Sequence, residues 1–168
     1  MLKAVKANKF QAGGGRFAIV ASQYNGRYVD SMLRAARAEL RGAGAQAVQV
    51  VRVPGAYEIP VVVARLARVA SCHVPRTTQQ ATRLSAIICL GVILRGETVH
   101  AAHIGEAVSR ALMEIQLRHE VPVVHEVLLL ENEAQARARC LDPRRNRGRE
   151  AAQTALAMAR LTAGLGQR

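Results

Sequence analysis

Four short apolar runs, 17–22, 48–53, 86–92 and 122–130, constrain this chain most, because segments with helical spacing separate them. Continuous rather than alternating apolarity suits strands buried on both faces of a parallel sheet. The first intervening segment, 28–41, places Val29, Met32, Leu33, Ala36 and Leu40 on one stripe and stops at Gly42. Further helices are expected over about 58–70, 98–118, 132–140 and 148–161. Strand followed by helix, repeated, predicts a three-layer, doubly wound α/β domain with a central four-stranded parallel sheet and helices on both faces. Residues 1–15, ending in three glycines, read as a flexible arm, 16–168 as one domain, and the polar stretch 71–83 as an exposed loop.

At 168 residues there is room for one sizeable core. Half of the residues are hydrophobic and only 3% aromatic, so the core is built from Ala, Val, Leu and Ile, and intrinsic disorder is excluded. No run reaches the roughly 18 to 20 apolar residues of a membrane span, and the lysine-bearing first ten residues do not resemble a secretory signal. A soluble cytoplasmic protein is expected. Three cysteines form no C-x-x-C pair and read as reduced thiols, Cys89 in the core and Cys72 and Cys140 in polar surroundings. The net charge of +12 is concentrated early: 1–84 holds 13 basic and 3 acidic residues, 85–168 holds 11 and 9. Such a charge suits phosphorylated small molecules or a solvated surface; with so few aromatics for base stacking, no nucleic-acid partner is expected.

Ligands of such folds bind beyond the carboxyl ends of the strands, which singles out the residues after each apolar run. In Arg95-Gly96-Glu97-Thr98-Val99-His100, Gly96 permits a tight turn, and the free N–H groups of Glu97 and Thr98 at a helix start suit either an anion or a simple cap. His100 would lie one turn inside. His103 shares its face, but no Cys or acid stands at matching spacing, so no metal is expected. In 53–60, Gly55 and Ala56 let a ligand approach the backbone, and Glu58 either accepts hydrogen bonds from a substrate or caps a helix. Tyr24-Asn25 offers an aromatic face beside an amide. The arginines of 137–149 form a surface run, one or two of which suit a phosphate clamp.

In this order the segments resemble the lumazine synthase family of riboflavin biosynthesis, over about residues 16–163. The resemblance rests on Tyr24-Asn25, the run 53–60, the run 95–100, Ser109-Arg110-Ala111-Leu112, the run 131–136 and Asn146-Arg147-Gly148. It implies condensation of 5-amino-6-(D-ribitylamino)uracil with 3,4-dihydroxy-2-butanone 4-phosphate, releasing phosphate and water, without cofactor or metal. It further implies that Tyr24 stacks on the pyrimidine, and that Asn25, Ala56, Tyr57, Glu58, Val92 and Ile93 border the ring and ribityl chain. Glu97 and Thr98 would hold phosphate by their backbone with Arg139 as its charged partner. His100 would shuttle protons, work that suits an imidazole near neutral pH. Family sites lie between subunits, with the His125 and Arg139 region supplied by the partner, in a homo-oligomer that is a pentamer, a decamer or a 60-subunit shell.

This chain departs from the family pattern at several positions. Ala101 and Ala102 follow the histidine where the family commonly has an aromatic and an aspartate. His125-Glu126 replaces Phe-Gly, Arg147 stands for a lysine as a further candidate ligand contact, and Pro143 for a basic residue. Two classes therefore stand open: a working synthase, or a paralogue that binds flavin or lumazine or forms a shell.

Overall fold

The computed structural model describes residues 14–71 and 83–165. Most of the glycine-ended arm and nearly all of the 71–83 loop, including Cys72, lie outside these described residues. The elements run β1 (Arg16–Ser22), α1 (Gly26–Gly42), β2 (Ala47–Val53), α2 (Ile59–Ser71), β3 (Ala86–Leu94), α3 (His100–His119), β4 (Val123–Leu130), a short α4 (Glu133–Ala136) that passes into a π-helical turn (Arg137–Leu141), and α5 (Arg147–Leu165). All strand pairs are parallel, in the order β2-β1-β3-β4.

Alternate side chains of each strand enter opposite layers, because successive Cβ atoms of a strand point to opposite faces. Phe17, Ile19, Ala21, Ile88 and Leu90 pack with Met32, Ala36 and Leu40 of α1 and Ala151, Ala152 and Ala155 of α5. Ala18, Val20, Ile87 and Cys89 pack with Ile59 and Val63 of α2 and Val108 and Leu112 of α3. The runs of β1 and β3 are therefore strands with both faces covered, whereas the edge strand β2 is mostly half-buried with Gln49 exposed, and the edge strand β4 exposes His125 and Leu129, because an edge strand has a neighbour on one side only. Among the described residues, no helix is long and apolar enough to cross a membrane.

Four sequence expectations are corrected here. α3 begins at His100 rather than Thr98, because β3 extends to Leu94 and the Arg95 N–H still pairs with the Leu130 carbonyl at 2.8 Å. His100 is thus its first residue, not one turn inside. The expected helix over 132–140 is one turn of α-helix followed by the wider π turn, which draws Cys140 fully into the core. Cys140 is consequently not in polar surroundings: burial, with the Glu126 charge adding to it, pushes its thiol pKa up to about 11. Leu33 is only partly buried, at the margin of the α1 stripe.

Candidate active site

The strand order reverses direction between β1 and β3, and in open α/β sheets this switch point opens a crevice at the carboxyl ends. Asn25 spans it. Its backbone lies in the left-handed region, φ 56°, and from there its side-chain amide donates to the Val92 carbonyl of β3 at 2.8 Å. Asparagine tolerates this conformation better than most residues. The turn is also tied to β2, since the Gln23 and Tyr24 N–H groups both reach the Pro54 carbonyl at 3.1 Å.

Gly55 is the floor of the next part. A Cβ there would stand 3.1 Å from Tyr24 Cδ2 and 2.8 Å from a Glu58 carboxylate oxygen. The Tyr24 ring and the Glu58 carboxylate therefore meet over a bare backbone, with Ala56 beside them. Glu58 precedes α2 and accepts the Gly55 N–H at 2.8 Å, so it organises this turn rather than capping the helix. Its other oxygen has no such bond among the described residues. Tyr24 and Tyr57 are 70% and 64% exposed, an unusual display for a chain with so few aromatics. Val92 is buried and Ile93 half-buried at the end of β3.

Glu97, Thr98 and His100 lie exposed between β3 and α3. Neither the Glu97 nor the Thr98 N–H finds an acceptor among the described residues, which leaves two donors at the positive end of α3. Thr98 Oγ1 lies 3.4 Å from the His100 N–H, a long contact, and it does not cap the helix. Arg95 joins Glu131 at 3.0 Å and so ties the loops after β3 and β4 together. Arg139, in the π turn after β4, is exposed and makes no ion pair among the described residues.

One chain does not bring His125 to this rim. In register it opposes Cys89, whereas the switch-point residue Val92 opposes Leu128, three residues further along. At a rise of roughly 3.3 Å per residue, His125 sits about 10 Å back along the edge strand. Its Nε2 is 2.9 Å from Ser109 Oγ of α3. Partial burial pushes its pKa below the ordinary histidine value, with its own backbone hydrogen bond opposing.

The 6,7-dimethyl-8-ribityllumazine synthase family model matches residues 14–163. A protein of that name from Xanthomonas oryzae pv. oryzae is 39% identical over 148 residues, 87% of this chain and 88% of its own. Its namesake from Stenotrophomonas maltophilia is 40% identical over the same shares. The chain belongs to the 6,7-dimethyl-8-ribityllumazine synthase family. Within that frame, two departures from the family pattern prove to be partners: Glu126, only 4% exposed, receives Arg147 Nε at 2.6 Å and Nη2 at 3.3 Å. Arg147 Nη1 also meets Glu150. Their neighbour Asn146 is buried, donating to the Cys140 carbonyl at 2.5 Å and accepting the Gly148 N–H at 3.0 Å. Sequence reasoning missed these roles, and also Gly55 as the surface under Tyr24. The only available signal was a charge arising in an apolar strand, which asks for a counter-charge whose position a sequence does not show.

Proposed function

We propose that this protein condenses 5-amino-6-(D-ribitylamino)uracil with 3,4-dihydroxy-2-butanone 4-phosphate to 6,7-dimethyl-8-ribityllumazine, releasing phosphate and water, as a cytoplasmic homo-oligomer. The observation that carries this reading is the contiguous Tyr24, Gly55, Glu58 and Asn25 surface at the switch point of a chain in this family. The Tyr24 ring supplies a face for the flat pyrimidine, and the backbone at Ala56 and the free Glu58 oxygen accept or donate along its edge and ribityl chain. Tyr57, Val92 and Ile93 complete that wall. The phosphate of the second substrate meets the Glu97 and Thr98 N–H groups, with Arg139 as its cation.

In the reaction the pyrimidine's amine attacks the ketone, phosphate leaves, and a second condensation closes the ring. His100, beside the phosphate donors, accepts and returns the protons of these steps. No residue is required to hold a metal or cofactor. His125 stands too far along β4 to reach its own chain's Tyr24, so a neighbouring copy brings it against the pyrimidine. This separation supports sites completed between subunits; pentamer, decamer and shell differ in how such contacts close.

Mixing the purified protein with both substrates and following lumazine absorbance and fluorescence tests the reading. A rate above the uncatalysed condensation is expected, and a rate equal to it rejects the proposal. Arg139→Ala should raise the KM of the butanone phosphate about tenfold or more, in the range of a lost charge-assisted hydrogen bond, and move that of the pyrimidine less. Equal changes in both would remove Arg139 from the phosphate site.

A further inference from the structure

Glu126 is an anion on a strand whose other inward residues are apolar, and 5% of its side chain is accessible. Burial pushes its carboxyl pKa up, with the hydrogen bond and charge of Arg147 opposing. Arg147 answers it as a two-pronged fork and spends a third N–H on Glu150. A guanidinium has five N–H groups, so two remain. Its charge, however, is answered directly: two carboxylates, Glu126 and Glu150, contact this one guanidinium. Arg139 lies close enough for its charge to act on Glu126, yet it keeps its guanidinium unpaired among the described residues. The two arginines therefore differ in kind, one a free cation and the other a neutralised, directional donor.

Position gives this difference a use. β4 is the edge strand of the sheet, and Glu126 follows His125 directly. A ligand held by a neighbouring copy against this edge meets side chains from both faces of the strand, the His125 ring from one and the clamped Arg147 from the other. We propose that Glu126 is a positioning residue: it fixes and neutralises Arg147 so that the two remaining N–H groups serve the carbonyl of the neutral pyrimidine, and phosphate is left to Arg139. This inference rests on the synthase reading above.

The test varies each substrate in turn and adds inorganic phosphate as the probe. In the unmodified protein, phosphate should compete with the butanone phosphate and not with the pyrimidine. Glu126→Gln removes the neutralising charge while keeping shape. It should raise the pyrimidine KM about tenfold, leave kcat within about twofold, and make phosphate a competitor of the pyrimidine as well. Arg147→Gln should share the pyrimidine loss without the new competition, and the double variant should be no worse than Arg147→Gln alone. Should Glu126→Gln fail to fold, the volume-keeping pair Glu126→Leu with Arg147→Met removes both charges together. Exchange of a buried ion pair for apolar groups is commonly tolerated. That pair is expected to keep its melting temperature and lose pyrimidine affinity as Arg147→Gln does. A working enzyme in which these variants alter melting but leave both KM values and the phosphate competition unchanged overturns the proposal and spares the synthase reading. An unmodified protein with no turnover overturns both.

Discussion

His100→Ala lowers kcat by between about ten- and a thousandfold, the span expected when a positioned proton-transfer group is lost. The reasoning is geometric. His100 is the first residue of α3, two residues after the Thr98 donor, and its side chain is exposed at the rim where the proposed reading brings the phosphate and the condensing amine together. The residues after it do not hold it: Ala101 is buried and Ala102 is exposed, and neither carries the carboxylate that could orient an imidazole. Loss of the ring should therefore fall on kcat more than on either KM, since no binding contact is assigned to it. Steady-state rates of lumazine formation, corrected for the uncatalysed condensation, measure the effect. An unchanged kcat would take His100 out of the mechanism.

The largest expected effect on stability comes from Gly148→Ala. At Gly148 the start of α5 crosses α1 so closely that an added Cβ would fall inside the backbone of Met32, overlapping its carbonyl oxygen and lying 2.6 Å from its Cα. No rotamer change relieves a clash with backbone, so α5 must lift off α1. That separation opens the layer in which the small side chains of Ala36, Ala151, Ala152 and Ala155 pack with Met32 at short interhelical distance. It also pulls on the bonds from Asn146 to Cys140 and from Gln153 to Glu39. A loss of about 4 kcal/mol or more is expected, at the upper end for single substitutions and a large share of the 5 to 15 kcal/mol typical of a domain. Urea unfolding followed by circular dichroism reads it. A midpoint within the spread of surface variants would mean that the helices do not cross as described. The Arg147 clamp adjoins this crossing, so activity is expected to fall with stability.

The two predictions divide along what the sequence could and could not announce. The strands, the burial of β1 and β3 on both faces and the placing of the loops at the carboxyl rim follow from local apolar runs and the strand-to-helix alternation, which are properties of neighbouring residues. Tyr24-Asn25, the turn before α2 and the 95–100 segment were therefore legible, as was the family resemblance they carry. Cys140 was misread because a π turn alters which residues face inward, and the onset of α3 because an extra strand hydrogen bond delays the helix.

What the tertiary structure alone decided concerns contacts between residues distant in the chain. Asn146-Arg147-Gly148 stands out in the sequence as a motif, but folding sends its three residues in three directions. Asn146 ties the π turn to α5, Arg147 reaches Glu126 across 21 positions, and Gly148 meets Met32 across more than a hundred. Glu126 looked like an unexplained charge until its partner was placed, since a buried carboxylate is tolerable only beside a counter-charge that any distant arginine can supply. His125 likewise could be matched to a pyrimidine contact from sequence. Only its register beside Cys89, about 10 Å from the rim, shows how far along β4 it lies from Val92 within one chain. Local pattern fixes which elements form and where their ends lie; the sheet order and helix crossings fix which ends meet, because those depend on packing the whole chain at once.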